Sequence, residues 1–249
     1  MSMWLIAGFW GLVSGSALVV GTILAYAFHL PQRVVAAVMA FGSGVLISAL
    51  SFELMAEAYK LGGFLACSVG FLGGAAVYTA ANVWVSRRGA HCRKRSGHQQ
   101  KKASEGGGVA IAIGSLLDGI PESAIIGVSL LEGKGVNMVA VIAIFLSNIP
   151  EGLSSSAGMR KAGRSTAYVF GLWIGITLLL AVAAALGNLA FAHSPPAMIA
   201  AIQAVAAGAI LSMLVDTMIP EAFEVTHEFA GLITVSGFLI AFALSKMGG

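Results

Sequence analysis

Long apolar runs separated by short polar stretches dominate the chain. A helix needs about 20 predominantly apolar residues to cross the hydrocarbon core of a bilayer, and the chain supplies eight such runs. The pattern therefore predicts an all-α, polytopic membrane protein with eight transmembrane helices in a single transmembrane domain, 1–249. The predicted helices are 4–28, 34–58, 63–86, 108–131, 136–159, 166–191, 197–223 and 228–247.

Composition supports a lipid environment. Of the 249 residues, 58% are hydrophobic and only 10% are charged, and the mean hydropathy is +0.90. Soluble domains carry roughly 25% charged residues, so a surface this poor in charge would not remain in water. The 32 glycines suit close helix packing in lipid, where small residues let two backbones approach.

The distribution of Lys and Arg predicts the orientation. With eight spans, eleven of the fourteen Lys and Arg fall in loops on one side, namely Arg33, Arg87, Arg88, Arg93, Lys94, Arg95, Lys101, Lys102, Arg160, Lys161 and Arg164. The other side holds Lys60, Lys134 and Lys246. The positive-inside rule places the larger set in the cytoplasm. We therefore expect a cell-membrane protein with both termini outside and a solvated cytoplasmic loop at 87–107. The net charge of +3 reflects orientation, and no nucleic-acid partner is expected.

Two internal repeats relate helices of opposite direction. Asp118-Gly-Ile-Pro-Glu-Ser and Ser147-Asn-Ile-Pro-Glu-Gly share Ile-Pro-Glu and lie near the middle of consecutive predicted helices. A longer segment, 44–59, resembles 208–223 at an offset of 164 residues. Inverted repeats with interrupted helices at the membrane midplane are typical of secondary transporters. The two repeats therefore predict an inverted-repeat architecture.

Three acids within the apolar helices are the candidate site. Asp118 and Glu122 are spaced i, i+4 and share a helix face, and Ser147 and Glu151 have the same spacing. An acid within lipid costs about 2.5–3.5 kcal/mol on insertion scales, so such residues usually mark an ion pathway. The alternative is that these acids only form polar contacts between helices.

A proline inside each motif adds backbone oxygens to this candidate site. Pro121 and Pro150 each remove one hydrogen bond and free a carbonyl four residues back, at Leu117 and Leu146. Three carboxylates and two free carbonyls would form a hard, oxygen-rich site for a divalent cation. Without a cation, repulsion and desolvation favour protonation of at least one carboxyl.

Four further acids lie towards the ends of the second and seventh predicted helices. They are either pathway residues at the two mouths or solvated interfacial acids: Glu53, Glu57, Asp216 and Glu221. None of the five histidines falls in a predicted membrane core. His91, Cys92 and His98 could bind metal in the cytoplasmic loop, but their basic neighbours repel cations and the spacing matches no strong zinc pattern.

The two proline motifs resemble those of the ZIP (Zrt-, Irt-like protein) family of metal transporters, and the likeness spans nearly the whole chain. That family carries a motif like H-N-x-P-E-G in its fourth helix and H-E-x-P-E-G in its fifth, where this chain has D-G-I-P-E-S and S-N-I-P-E-G. The resemblance implies eight helices, outward termini and a long cytoplasmic loop between the third and fourth helices.

The resemblance also implies a ligand set. The positions that match the family's first metal are Asp118, Glu122, Ser147 and Glu151. The positions that match a second metal are Gly119, Asn148 and a sixth-helix position near Leu179, where this chain has no acid. Asn148 is therefore expected to assist as a weak ligand, and one tightly bound metal is predicted.

The sequence thus predicts a ZIP-like secondary transporter that moves zinc or a related ion, such as Mn, Fe, Co or Cd, into the cytoplasm by alternating access. The alternative keeps the ZIP fold but acts in regulation, because several ligands differ. An intramembrane enzyme would need a nucleophile–base pair or an H-E-x-x-H site, so neither an enzyme nor a prosthetic group is expected. The expected partners are divalent metal ions and the lipid bilayer, and a homodimer remains open.

Overall fold

The computed structural model describes residues 2–28, 30–97, 100, 102, 108–132 and 135–247. These ranges contain helices joined by short turns and no β-strand. The α-helices among them are α1 (Met3–Ala27), α2 (Gln32–Ala49), α3 (Ala56–Val85), α4 (Gly108–Ser129), α5 (Met138–Lys161), α6 (Thr166–Phe191), α7 (Pro196–Met213), α8 (Ile219–Thr226) and α9 (Ala230–Met247).

Six helical stretches of the described chain are long and apolar enough to cross a membrane. Four of them correspond to α1, α4, α5 and α6. The other two are the continuous stretches Gln32–Ala90 and Pro196–Met247, with 59 and 52 residues. The predicted all-helical class and the fit to a membrane-embedded protein are therefore confirmed.

Each of the two longest stretches has, near its middle, one residue whose backbone is not helical. Gly63 has φ 71° and ψ −178°, and His227 has φ 44° and ψ −119°. A positive φ suits glycine, which has no Cβ to clash with the backbone. Both interruptions lie within a few residues of the boundaries that the hydrophobic pattern predicts between helices.

A π-helical turn follows α2 and another follows α7. The turns are Leu50–Met55 and Leu214–Met218, and they begin 164 residues apart, at equivalent positions of the longer sequence repeat. Such turns are rare and frequently occur at functional sites. Glu53 lies in the first turn and Asp216 in the second.

Glycines allow the helices that carry the motifs to pack closely against their neighbours. A methyl group at Gly152 in α5 would collide with the carbonyl of Leu18 in α1, and one at Gly21 in α1 would collide with the carbonyl of Ile149. The backbones of α1 and α5 therefore touch directly, as small residues permit in membrane bundles. α4 packs mainly against α6 and α7.

The connection between α3 and α4 begins later than predicted. The helical stretch continues beyond Val85 through the π-helical turn Ser86–Ala90. Gly89 in that turn has φ 112°, a left-handed conformation that ends the helix and redirects the chain. The expected start of the loop at residue 87 was therefore wrong, and the loop begins at residue 91.

Candidate cation site

The two proline motifs lie near the midpoints of α4 and α5, as predicted. Both helices continue through their prolines, Pro121 and Pro150. The five predicted ligands are all buried: Asp118, Glu122, Ser147, Asn148 and Glu151. Buried acids in apolar helices need compensating partners, and the described residues supply these for two of the three.

A lysine from the loop after α3 lies between two of the acids. The Lys94 Nζ atom is 2.8 Å from Glu151 Oε2 and 3.3 Å from Asp118 Oδ2. An ammonium group therefore bridges the carboxylates of α4 and α5. This contact brings two of the three predicted acid ligands to one point.

The preceding residue, Arg93, forms a two-pronged contact with Asp118. Arg93 Nε donates to Asp118 Oδ2 at 2.9 Å, and Nη2 donates to Oδ1 at 2.8 Å. Tyr78 Oη donates to the same Oδ1 at 2.6 Å, and Arg93 Nη1 donates to Asn82 Oδ1 at 3.0 Å. Paired hydrogen bonds between arginine and a carboxylate are strong and fix the geometry.

The expectation that the whole loop is solvated was therefore wrong. Residues 91–97, which we call the inserted segment, fold back into the helix bundle, where Arg93 and Lys94 are 1% and 3% exposed. Burial of a charge is unfavourable unless an opposite charge compensates it. Burial lowers the pKa of Lys94, but Asp118 and Glu151 more than offset this, so its pKa lies above the ordinary lysine value and the proton is retained.

Glu122 is the third acid and has no hydrogen-bond donor among the described residues. The residue is 2% exposed, and neither carboxyl oxygen has a hydrogen-bond partner among the described residues. Buried polar atoms are nearly always satisfied in folded proteins. A buried carboxyl without donors is stable only when it carries a proton or binds a cation.

Ser147 and Asn148 make contacts outside the acid group. Ser147 Oγ donates to the Ile144 carbonyl at 2.9 Å, and Asn148 Nδ2 donates to the Ser14 carbonyl of α1 at 3.2 Å. Within the described ranges, no three His, Cys, Asp or Glu side chains form a group that could hold a metal ion. Of the predicted first-metal ligands, Asp118 and Glu151 share the contact with Lys94, whereas Ser147 bonds within its own helix.

Of the positions that match a second metal, Gly119 is packed against an apolar side chain. A methyl group at Gly119 would contact the side chain of Leu180 in α6. Leu179, the sixth-helix position named from the sequence, is 51% exposed. The residue of α6 that faces Gly119 is therefore Leu180, which has no lone pair to offer.

The four pathway candidates separate into two pairs. Glu53 Oε2 accepts from Asn137 Nδ2 at 2.8 Å, and its other oxygen accepts from Ser245. Glu57 pairs with Lys60 at 3.3 Å. Because Asn137 caps the start of α5, this pair belongs to the end of the bundle where α5 begins.

The other two pathway candidates lie beside the inserted segment. Glu221 Oε1 accepts from the backbone N and the Oγ of Ser96, both at 2.8 Å, and from Ser154 Oγ at 3.2 Å. Ser154 and Asn137 are 17 residues apart on α5, about 25 Å at 1.5 Å per residue. Glu53 and Glu221 therefore lie towards opposite ends of the bundle.

Asp216 borders a cavity next to the inserted segment. Its Oδ2 accepts from Asn82 Nδ2 at 3.3 Å. The cavity has a volume of about 380 Å³, and its lining includes His91 and Arg93. The hydrogen bonds from Arg93 through Asn82 thus connect Asp118 to this opening.

Sequence reasoning missed four residues that contact the acids directly or through one neighbour: Tyr78, Asn82, Arg93 and Lys94. Tyr78 and Asn82 are polar residues four positions apart in an apolar helix, a signal that could have identified them. Of the loop residues proposed to catch metal, His91 is exposed and Cys92 is partly buried, whereas His98 lies outside the described residues. Comparison with protein-family models and with curated proteins finds no match to the chain.

Proposed function

We propose that the protein is a ZIP-like secondary transporter that carries a divalent metal ion into the cytoplasm by alternating access. One observation carries this proposal: two buried carboxylates from adjacent motif helices converge on a single positively charged atom, Lys94 Nζ. A point that stabilises an ammonium group within the bundle has the electrostatics that a transported cation needs.

The chemistry of the surrounding groups supports a divalent ion as substrate. Asp118, Glu151 and Glu122 supply carboxylate oxygens, and oxygen donors suit hard divalent cations. Glu122 is buried with no partner among the described residues, so a carboxylate is ready to accept a cation once Lys94 moves away. Ser147 and Asn148 are neutral oxygen donors that would have to reorient to assist.

Two matched structural features support inverted repeats. The π-helical turns occur at equivalent positions of segments 44–59 and 208–223. The glycine contacts also correspond: Gly44 approaches the Thr234 carbonyl of α9, and its repeat partner Gly208 approaches the Phe71 carbonyl of α3. Equivalent glycines thus serve equivalent helix pairs, as an internal repeat requires.

The chain crosses the membrane eight times if each of the two longest helical stretches crosses it twice. As straight helices, the 59- and 52-residue stretches would extend about 88 and 78 Å, whereas the hydrocarbon core is about 30 Å thick. The interruptions at Gly63 and His227 divide each stretch into two spans. With the positive-inside rule, the inserted segment is cytoplasmic and both termini are outside.

The alternative function, regulation by a protein that has lost transport, is favoured by one specific observation. Asp118 is held by Arg93 through two hydrogen bonds and by Tyr78 through a third. A carboxylate satisfied in this way has no need of a metal ion. Transport and regulation differ in whether metal ever displaces these contacts.

Metal uptake by purified protein in liposomes tests the proposal. Radioactive zinc and manganese should accumulate with the unchanged protein and fail to accumulate with the double variant Glu122→Gln, Glu151→Gln, which keeps shape but removes two charges. Glu228→Gln is the matched control, because Glu228 is exposed and distant in sequence from both motifs. Equal accumulation by the double variant and the control would contradict the site. No accumulation by any well-folded sample would favour regulation.

A further inference from the structure

We propose that the inserted segment is an autoinhibitory plug whose Lys94 ammonium occupies the place of the transported cation and must leave before metal can bind. This inference rests on the proposed function for the identity of the competing ion. The position of the segment within the bundle is independent of it.

Lys94 and a transported metal ion would compete for the same position. A metal ion bound by Asp118 and Glu151 would have to contact the same oxygens that Lys94 Nζ now contacts, at 3.3 and 2.8 Å. Two cations within such a distance repel each other strongly when they are shielded from water. Lys94 and a metal ion therefore exclude one another.

Arg93 keeps Asp118 from binding any other ligand. Both oxygens of Asp118 accept hydrogen bonds from the Arg93 guanidinium, and Tyr78 adds a third. A carboxylate can bind a metal ion strongly only after such donors withdraw. Arg93 and Lys94 are adjacent in the chain, so one movement of the segment would free both acids.

Small residues of α4 and α5 leave room for the inserted segment. A methyl group at Gly114 of α4 would overlap the Arg93 side chain, and one at Gly158 of α5 would overlap the carbonyl of Arg95. Gln100 Nε2 donates to the carbonyls of Arg93 and Ser155 at 3.1 Å each. The segment is therefore packed between α4 and α5.

The anchor of the plug is Glu221 of α8, which contacts the two residues of the segment that follow Lys94. Glu221 accepts two hydrogen bonds from Ser96 and pairs with Arg95 Nη1 at 3.4 Å, and Arg95 also pairs with Glu224. Arg95 is partly exposed, so this outer contact is open to water and salt. The contacts of Arg93 and Lys94 block the cation site, and the contacts of Arg95 and Ser96 keep the segment docked.

Two measurements on the full-length protein in liposomes test the plug. The first is the rate at which an impermeant maleimide labels Cys92 from the side of the inserted segment, in a Cys67→Ala background. The second is zinc uptake. Both are compared among the parent, Lys94→Gln, Arg93→Gln and the matched control Lys161→Gln, since Lys161 is exposed on the last turn of α5.

If the segment is a plug, Lys94→Gln should speed Cys92 labelling by about fivefold or more, the lower range of ordinary coupling between two sites. Arg93→Gln should act in the same direction, and Lys161→Gln should match the parent. Added zinc should speed labelling of the parent, because metal displaces Lys94. Zinc uptake by Lys94→Gln should exceed that of the parent.

Failure of the plug and failure of the transport function would give different results. Labelling of Cys92 that is unchanged in both Lys94→Gln and Arg93→Gln would overturn the plug, whatever the uptake. A second result would also overturn the plug and leave the transport function standing. In it, the parent takes up zinc, Lys94→Gln takes up zinc more slowly, and added zinc does not change the labelling rate. If Lys94→Gln and Arg93→Gln are both labelled faster but no sample binds or takes up zinc, the transport function is overturned. The idea that the competing ion is a metal is then overturned with it.

Discussion

Side chains that carry oxygen atoms occupy both motif starts, where the resemblance to the ZIP family implies histidine or glutamine. Asp118 and Ser147 are buried and offer a carboxylate and a hydroxyl. Oxygen donors suit Mn²⁺, whereas imidazole suits Zn²⁺. We therefore expect the ratio of zinc affinity to manganese affinity to be lower in the unchanged protein than in the variant Ser147→His.

Competition binding of zinc and manganese to the purified protein measures this ratio. Ser147→Ala is the control, since it removes the hydroxyl without adding imidazole and should keep a ratio close to that of the parent. A parent protein that already discriminates for zinc as strongly as Ser147→His would contradict the expectation.

Individual residues differ in how well the sequence reveals them. Asp118, Glu122 and Glu151 stand out because each is an acid in an otherwise apolar helix. Arg93 and Lys94 do not, because they belong to a basic run that is typical of a cytoplasmic loop. Their burial depends on carboxylates 24 to 57 residues further along the chain, and only the tertiary fold brings those together.

The Arg93–Asp118 pair makes a stability prediction. Removal of one partner from a buried ion pair leaves an uncompensated charge and typically costs about 3–5 kcal/mol. Arg93→Gln should therefore lower the free energy of unfolding by about that amount. Adding Asp118→Asn should restore part of the loss, because the stranded charge is then absent.

Unfolding in detergent measures these differences as a double-mutant cycle. Arg88→Gln is the control, because Arg88 is exposed and lies over the Trp84 ring; it should change the free energy of unfolding by less than about 1 kcal/mol. Strictly additive effects of the Arg93 and Asp118 substitutions would mean that the two side chains do not interact.

At the level of helices, the contact of α1 with α5 depends on the absence of side chains. Gly152 has no room for a methyl group, because the Leu18 carbonyl fills that space. Gly152→Ala should therefore push α1 away from α5 and lower stability by about 1–3 kcal/mol, the usual cost of overpacking.

The matched control is Gly171→Ala in α6, where nothing lies within 4 Å of the added methyl group. That substitution should leave stability unchanged or raise it by up to about 1 kcal/mol, since alanine favours helix more than glycine does. Thermal unfolding of the two variants in the same detergent compares them. Equal behaviour would show that the close approach of α1 and α5 is unimportant.

The positions of the helices were predictable, and the irregularities within them were not. Apolar runs gave α1, α4, α5 and α6 to within a few residues, because only hydrophobic length is needed to recognise a span. The π-helical turns Leu50–Met55 and Leu214–Met218 leave the apolar pattern almost unchanged. The extension of the helix to Ala90 likewise escaped prediction, because Arg87 and Arg88 resemble the start of a loop.

For the whole molecule, the proposed orientation predicts which face of the membrane each connection reaches. Cys92 should react with an impermeant thiol reagent in inside-out vesicles and resist it in intact cells. A cysteine introduced as Ala192→Cys, in the connection between α6 and α7, should show the opposite behaviour. Labelling of Cys92 from outside intact cells would overturn the proposed topology.

The number of bound ions is a second property of the whole molecule. A second metal beside the first would need acids of its own to offset repulsion. Gly119 is packed against Leu180, and the amide of Asn148 donates to Ser14. We therefore expect one tightly bound metal, counted by anomalous diffraction from metal-soaked crystals. Two strong peaks about 3.5–4 Å apart, the usual two-metal spacing, would contradict this.

The covalent attachment of Lys94 has an electrical consequence. In the empty protein Arg93 and Lys94 balance the charges of Asp118 and Glu151 and are never released, so refilling the site expels no solvent ion from these two acids. Glu122 alone could surrender a proton as a divalent ion enters. Each turnover would then carry at least one net positive charge inward, and a voltage of 100 mV, negative inside, contributes about 2.3 kcal/mol per charge. Accumulation by this protein would draw more on membrane voltage than on a pH gradient.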